Sequence, residues 1–294
     1  MTPPPRTRSL EVLATGPLAL LTDLGRPGLA HLGVSRSGAA DRGAYALGGR
    51  LVGNPPSSPA IEVTFGGLSL RAGTTLMLAL TGADCAALVD GRRVAPQAPF
   101  YVGPGQTLTL GRPAHGFRSY VSVRGGLIVT PVLSSASTDT LSGIGPAPLA
   151  VGDVLPVGPT PDHEFPGVEL VGLPASGGRL VLHARLGPRA DWLADPAALT
   201  TQEWTVTADS NRVGVRLSGV ALARSAETLT RELPSEGVVR GGIQVPAGGQ
   251  PLIFGADHPV TGGYPVVAVL TEASSDALAQ ARPGDQLRLR LIDR

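Results

Sequence analysis

No lysine occurs anywhere in the 294 residues; all 24 basic side chains are arginine. That absence excludes a Schiff-base lysine, a phosphate-loop lysine and a lysine general base. Cysteine is almost missing too: Cys85 stands alone, so no intramolecular disulfide can form and nothing points to an oxidising compartment. Charge is sparse and balanced, 24 basic against 23 acidic residues for a net +1. Such a balance gives no electrostatic reason to expect nucleic acid or a membrane surface. No apolar run approaches a membrane span, and the first residues lack an apolar core of signal-peptide length, so the expected location is cytoplasmic.

What is abundant is turn chemistry. Forty glycines and 28 prolines are dispersed among apolar runs in a chain that is 42% hydrophobic. This composition excludes a helical protein and predicts a folded, mainly β chain with a few short helices. A glycine, two linking residues and then alternating apolar positions recur at Gly73, Gly105, Gly152 and Gly284. Each copy reads as a turn feeding a half-buried strand, and together they suggest two related barrel-like lobes, residues 8–160 and 161–294. The turn-rich stretch Thr160–Pro166 is the candidate boundary.

In chain order, Leu10–Ala14 and Leu18–Leu21 read as a first pair of strands turning at Gly16-Pro17. Asp41 can cap a helix in which Ala44, Leu47 and Leu51 share a face and Gly53-Asn54-Pro55 ends the run; Gly43, Gly48 and Gly49 weaken it. Strands follow from Ile61 to Val123, with a hairpin turn at Asp90-Gly91. Val129–Pro148 is irregular. In the second half a short helix is expected at Asp195-Pro196 and another over Asp276–Ala281. Strands are expected at Leu180–Leu182, Glu203–Thr207, Ile243–Val245, Leu252–Phe254, Val266–Leu270 and Leu287–Ile292.

Familiar catalytic constellations are missing. The five histidines have no short metal-ligand spacing, so no metal site is expected. Cys85 sits in an apolar strand and reads as buried filler. Polar groups in glycine-rich loops remain: Asp23 and Arg26, Ser37 and Asp41, Glu62, Asn211 and Arg212, and a cluster of Gln244, Asp257, His258, Thr261 and Tyr264. Arginine offers a two-pronged grip on a carboxylate or phosphate, and a carboxylate can serve as a base, as a site for a small anionic substrate would need. The plain alternative is that these residues are helix caps and turn ion pairs.

The loops resemble a known family. Thr22-Asp23-Leu24-Gly25-Arg26, Ser37-Gly38-Ala39-Ala40-Asp41, Ile61-Glu62-Val63-Thr64, Asn211-Arg212-Val213-Gly214, Gly242-Ile243-Gln244-Val245-Pro246 and Thr261-Gly262-Gly263-Tyr264-Pro265 run in family order. The chain is similar to the family of the 5-oxoprolinase C subunit, also called the Kip-type antagonist, allophanate-hydrolase subunit 2 or biotin-dependent carboxyltransferase family. The resemblance implies two cyclophilin-like β-barrel lobes, with the B and A subunits of 5-oxoprolinase as partners. It also implies an ATP-dependent opening of the lactam of 5-oxo-L-proline to L-glutamate, by a chain inactive alone. ATP would sit at a site shared with a partner, magnesium would accompany the nucleotide, and biotin would enter only if the chain were a carboxyltransferase for urea or a similar amide. A third option is a non-catalytic regulatory protein.

Under this resemblance Asp23, Glu62 and Asp257 are the candidate catalytic carboxylates. Arg26, Ser37, Asp41, Asn211, Arg212, Gln244, Thr261 and Tyr264 are the candidate substrate contacts. One departure stands out: many members carry Leu-Gly-Ser-Arg-Ser-Thr where this chain has Leu133-Ser134-Ser135-Ala136-Ser137-Thr138.

Overall fold

The computed structural model describes residues 7–162 and 179–292. Thus residues 1–6, and the part of the expected lobe boundary over residues 163–166, lie outside the described residues. The chain is mainly β and packs as two compact units. The first takes the described residues up to Gly25, Asp41–Thr138 and from Gly143 to Asp162; the second takes Arg26–Ala40, Asp139–Ser142 and the chain from Arg179 onward.

In the first unit the elements are β1 (Ser9–Thr15), β2 (Leu18–Thr22), α1 (Arg42–Leu51), β3 (Ala60–Thr64), β4 (Leu68–Ala72), β5 (Leu76–Val89), β6 (Arg92–Arg93), β7 (Pro99–Val102), β8 (Thr107–Val123) and β9 (Val154–Pro156). They form a nine-stranded half-barrel sheet ordered β2-β3-β8-β4-β1-β9, with β5 also on β8 and β6 and β7 on β5. The long strand β8 is the hub, pairing with β3, β4 and β5.

The two N-terminal strands form where expected but do not pair with each other. β1 pairs with β4 and β9, and β2 with β3. The reason lies in their turn: Gly16 has φ +66°, and a Cβ there would fall 1.9 Å from the Gly66 carbonyl oxygen. That turn is wedged against the β3–β4 turn, so β1 and β2 part to different neighbours.

The alternation of Leu76, Leu78 and Leu80 aims all three into the core. Each fully buried leucine contributes about 1.5–3 kcal/mol of transfer free energy. Ala79, on the opposite face of β5, is buried as well, because Leu47, Leu51 and Val52 of the α1 segment cover it. Asp41 caps this helix, accepting the Ala44 N–H at 2.9 Å. Gly48 permits the close docking, since a Cβ there would meet Ser122 Oγ at 2.7 Å.

The second unit contains β10 (Leu180–Leu186), β11 (Trp204–Val206), β12 (Gly214–Ser218), β13 (Glu236–Gly237), β14 (Gly242–Gln244), β15 (Leu252–Phe254), β16 (Thr261–Gly262), β17 (Val266–Leu270), α2 (Glu272–Leu278) and β18 (Gln286–Leu291). Seven strands close a barrel in the order β10-β17-β14-β15-β12-β11-β18, and the parallel pairing of β10 with β18 completes the ring. Its core centres on Leu182, Leu199, Trp204, Ile243, Ile253 and Val267. Trp204 is fully buried and its indole N–H donates to the Leu199 carbonyl at 3.0 Å. The helix expected over Asp276–Ala281 begins a turn earlier, because the Thr271 hydroxyl accepts the Ser274 N–H and caps it there. The element at Asp195-Pro196 is a 3-10 turn, Pro196–Leu199, capped by Asp195.

The two adjacent glycines of α1 have opposite roles. Gly49→Ala points into open space and should stabilise by about 0.5–1 kcal/mol through helix propensity. Gly48→Ala should destabilise, since its methyl meets Ser122 and Thr81. Urea unfolding midpoints of the two variants check the opposite signs.

Candidate functional site

The second unit brings three of the expected residues together across 220 residues of sequence. Ser37 Oγ donates to Asp257 Oδ1 at 2.6 Å, and Arg212 grips the same carboxylate with Nε to Oδ2 at 2.8 Å and Nη2 to Oδ1 at 3.0 Å. Thr140, which the sequence did not single out, adds its N–H at 2.9 Å and its hydroxyl at 2.7 Å to Oδ2. Arg212 Nη2 also donates to the Gly38 carbonyl at 2.7 Å. Both charged side chains are buried, 2% exposed for Arg212 and 0% for Asp257.

Local structure explains why these groups meet. Ser37 and Gly38 both have positive φ, at 53° and 92°, which turns the chain so that the hydroxyl and the carbonyl face the barrel. Asn211 caps the opposite side, its Oδ1 accepting the Val213 and Gly214 N–H groups and fixing the turn that carries Arg212. Burial pushes the Asp257 carboxyl up, but the Arg212 charge and the hydrogen bonds from Arg212, Ser37 and Thr140 outweigh it and hold the pKa below 3.8. Five donors occupy the carboxylate's lone pairs. Asp257 is an anchor in this geometry; accepting a proton from a substrate would require one of these bonds to open.

Other expected residues of this unit lie in a second group. Gln244, buried at the end of β14, donates Nε2 to the Tyr264 carbonyl at 2.9 Å. A Cβ on Gly262 would fall 2.9 Å from that same Nε2, so the glycine at 262 is what lets the turn seat on Gln244. Thr261 and Tyr264 are exposed on this turn, Tyr264 by 49%. His258 Nδ1 lies 2.7 Å from the Pro259 carbonyl. Arg26 is buried, and its N–H donates to the Arg36 carbonyl.

The first unit holds Asp23, Asp41 and Glu62. Asp23 Oδ1 accepts the Gly25 N–H at 2.7 Å and the hydroxyls of Ser135 and Ser137 at 2.7 and 2.6 Å; Oδ2 accepts the Ala136 N–H at 2.7 Å. This carboxylate therefore anchors the irregular loop, whose tight turn places Leu133 and Ser134 at positive φ. Glu62 and Asp41 are joined by Tyr120, which sequence reading missed. The Tyr120 hydroxyl donates to Glu62 Oε2 at 3.0 Å and accepts the Asp41 N–H at 2.7 Å. Arg118 Nε lies 3.5 Å from Glu62 Oε1. Burial first, then the Glu62 and Asp41 charges, raise the Tyr120 phenol well above 10.0, so it stays a protonated donor. The missed signal was Arg118 and Tyr120, two residues apart and both buried, in the last turn-free stretch of β8, Phe117-Arg118-Ser119-Tyr120-Val121-Ser122-Val123. Thr140 left no such signal.

Among the described residues no group of three or more His, Cys, Asp or Glu is placed to hold a metal ion. Each helix cap accepts one N–H of its own first turn, Asp41 that of Ala44 on α1 and Thr271 that of Ser274 on α2.

A family model described as "Carboxyltransferase domain, subdomain A and B" matches residues 32–291. The chain belongs to this carboxyltransferase-domain family. It is 38% identical over 285 residues to the 5-oxoprolinase C subunit of Escherichia coli (strain K12), covering 95% of this chain and 89% of that protein. It is 32% identical to the protein of the same name from Haemophilus influenzae, covering 96% and 91%. Among solved structures, the K. lactis urea amidolyase superposes with a TM-score of 0.92 at 28% identity, covering 99% of this chain but 19% of that one. The carboxyltransferase-domain fold thus accounts for the two β units, and the family's ordered loop motifs here carry the buried anchors.

Asp257→Asn should destabilise the chain by about 3–5 kcal/mol at neutral pH, because Arg212 is left as an uncompensated buried charge. The folded pKa of Asp257 is depressed, so its stabilising contribution is complete above 3.8 and disappears as pH falls through the lower folded value. The gap between wild type and variant should therefore narrow on acidification below 3.8. Denaturant unfolding across a pH series measures it, and a gap independent of pH would contradict the assignment.

Proposed function

We propose that this chain is the C-type component of an ATP-dependent 5-oxoprolinase, which opens the lactam of 5-oxo-L-proline to L-glutamate together with components of the B and A types in the cytoplasm. The observation that carries the reading is the near full-length match to proteins named as the C subunit of 5-oxoprolinase, at 38% identity and 89% of the Escherichia coli protein's length. The urea amidolyase likeness supports the same family, yet this chain corresponds to a fifth or less of that polypeptide.

An amide carbonyl is a poor electrophile, and ATP supplies the driving force to activate its oxygen. This chain carries no lysine with which to build a phosphate-binding loop. ATP and magnesium are therefore assigned to a partner chain. This chain would contribute orientation. The Arg212–Asp257–Ser37–Thr140 anchor fixes the loop that presents the exposed Asn211, whose side-chain carbonyl is engaged by the Val213 and Gly214 N–H groups and whose amide N–H groups would be its donors to substrate. Gln244 fixes the turn that presents Thr261 and Tyr264. Such donors, held still before substrate arrives, are suited to a developing oxyanion. The second reading, a carboxyltransferase for urea or a related amide, is favoured by the amidolyase fold; lacking lysine, this chain would need biotin on a separate carrier.

Mixing the chain with its B and A partners and measuring ATP-dependent glutamate release from 5-oxoproline tests the proposal. Activity in the mixture and not in any component is expected, with Asn211→Ala and Thr261→Ala lowering kcat by about 10-fold or more if each supplies a transition-state hydrogen bond. Turnover that depends on a biotinylated carrier would favour the second reading. No turnover with either would leave a non-catalytic regulatory role.

A further inference from the structure

Backbone groups around the Asp257–Arg212 pair are left over. Among the described residues the N–H groups of Ser35, Gly38, Ala39, Asp139 and Ala256 meet no acceptor, and the carbonyls of Ala39 and Ala256 meet no donor. All five residues are buried, Ala39 and Asp139 to 1% exposure. Buried N–H groups are almost always paired, with protein, with ordered water or with a ligand. Five without a protein partner on three short segments of one unit therefore need an explanation.

The five lie together. Gly38 gives its carbonyl to Arg212 Nη2 at 2.7 Å, and Ala39 follows it. Ala256 precedes Asp257, Asp139 precedes the Thr140 whose N–H and hydroxyl bond Asp257, and Ser35 Oγ donates to Asp139 Oδ2 at 3.0 Å. Ser37, between Ser35 and Gly38, is fully buried at φ +53°, and backbone strain of this kind collects at binding and catalytic sites. Arg36, Thr140 and Asn211 on the same segments are exposed, so the cluster lies just beneath the surface.

The charge nearby disfavours an anion. Arg212 balances Asp257, whereas Asp139 is held by the Ser35 hydroxyl and the Leu141 and Ser142 N–H groups. Among the described residues Asp139 has no basic side chain within 4 Å. Unpaired N–H and C=O groups side by side instead complement a neutral ligand that carries both. A lactam and urea share that feature. In each, an N–H lies on the same side of the C–N bond as the carbonyl oxygen, while a trans peptide sets the two on opposite sides.

We propose that the peptide groups of Gly38, Ala39 and Ala256 bind the amide edge of the substrate, a small neutral amide with its N–H and C=O on one side. This deepens the function proposed above and rests on an amide being the substrate. Recognition through the backbone is suited to the glycine and alanines found there, which let a ligand approach the main chain closely.

Amide NMR spectra of the isotope-labelled full chain would be recorded against pyrrolidinone, N-methylpyrrolidinone, urea and acetate. The expected result is saturable shifts of the Gly38, Ala39 and Ala256 amides with pyrrolidinone or urea, while Ile243 and Ile253 in the barrel ladder stay in place. N-methylpyrrolidinone, which lacks the N–H, should bind about tenfold more weakly or worse. Stronger binding of pyrrolidinone points to a lactam substrate, and stronger binding of urea to the carboxyltransferase reading; either supports the amide edge. Equal shifts with N-methylpyrrolidinone, equal shifts with acetate, or no shifts with any probe (the N–H groups being met by internal water only) would each overturn the inference. Glutamate release by the assembled mixture without these shifts would sink the inference and leave the proposed function standing. Shifts without turnover would do the reverse.

Discussion

A carboxylate and a guanidinium withdrawn together from water, Asp257 and Arg212, tie three remote stretches of chain into the second unit. Taking both charges out of solvent costs several kcal/mol per ion, and attraction alone offsets that only when the remaining lone pairs are also satisfied. Here they are satisfied by Ser37, by the Thr140 N–H and hydroxyl, and by the Gly38 carbonyl on the arginine side. The segments Arg26–Ala40 and Asp139–Ser142 belong to this unit through contacts of this kind rather than through sheet pairing. The pair therefore acts less as a source of net stability than as a specification of which loops lie where.

Asp23 solves the same problem in the first unit without a cation. Two serine hydroxyls and two backbone N–H groups surround its carboxylate, and charge-assisted hydrogen bonds of this length are about twice as strong as neutral ones. The loop that supplies them passes through Leu133 and Ser134 at positive φ, a conformation that costs L-residues roughly 1–2 kcal/mol each. The bonds to Asp23 offset that strain. Ala136 contributes its backbone N–H to this anchor, so the loop keeps its shape without the arginine that many relatives were expected to carry there.

The division of labour that emerges is between buried ionic groups and exposed neutral ones. The named carboxylates are occupied by the protein's own donors or, in the case of Glu62, held beside Tyr120 and Arg118. Of the candidate residues in the family loops, Asn211, Thr261 and Tyr264 reach solvent, donors and acceptors without charge, with the charged Arg36 and Asp209 exposed beside them. Under the proposed function these neutral groups would orient the amide, and two of the relatives are themselves named as subunits.

Local pattern was sufficient for most strands, for the Asp41 cap and for the Asp90-Gly91 hairpin, because alternation, capping and turn chemistry act over a few residues. Pattern also marked the loops: the motifs holding Ser37, Arg212 and Asp257 were visible as polar residues among glycines. What the sequence could not determine was who meets whom. That β1 leaves β2 for β4 depends on Gly16 meeting Gly66, and that Glu62 faces Tyr120 depends on the β3–β8 register. Thr140 reaches Asp257 across 117 residues with no local signal at all. Such pairings are set by closure of the sheet and the satisfaction of buried charge, which are properties of the assembled chain and not of any window along it.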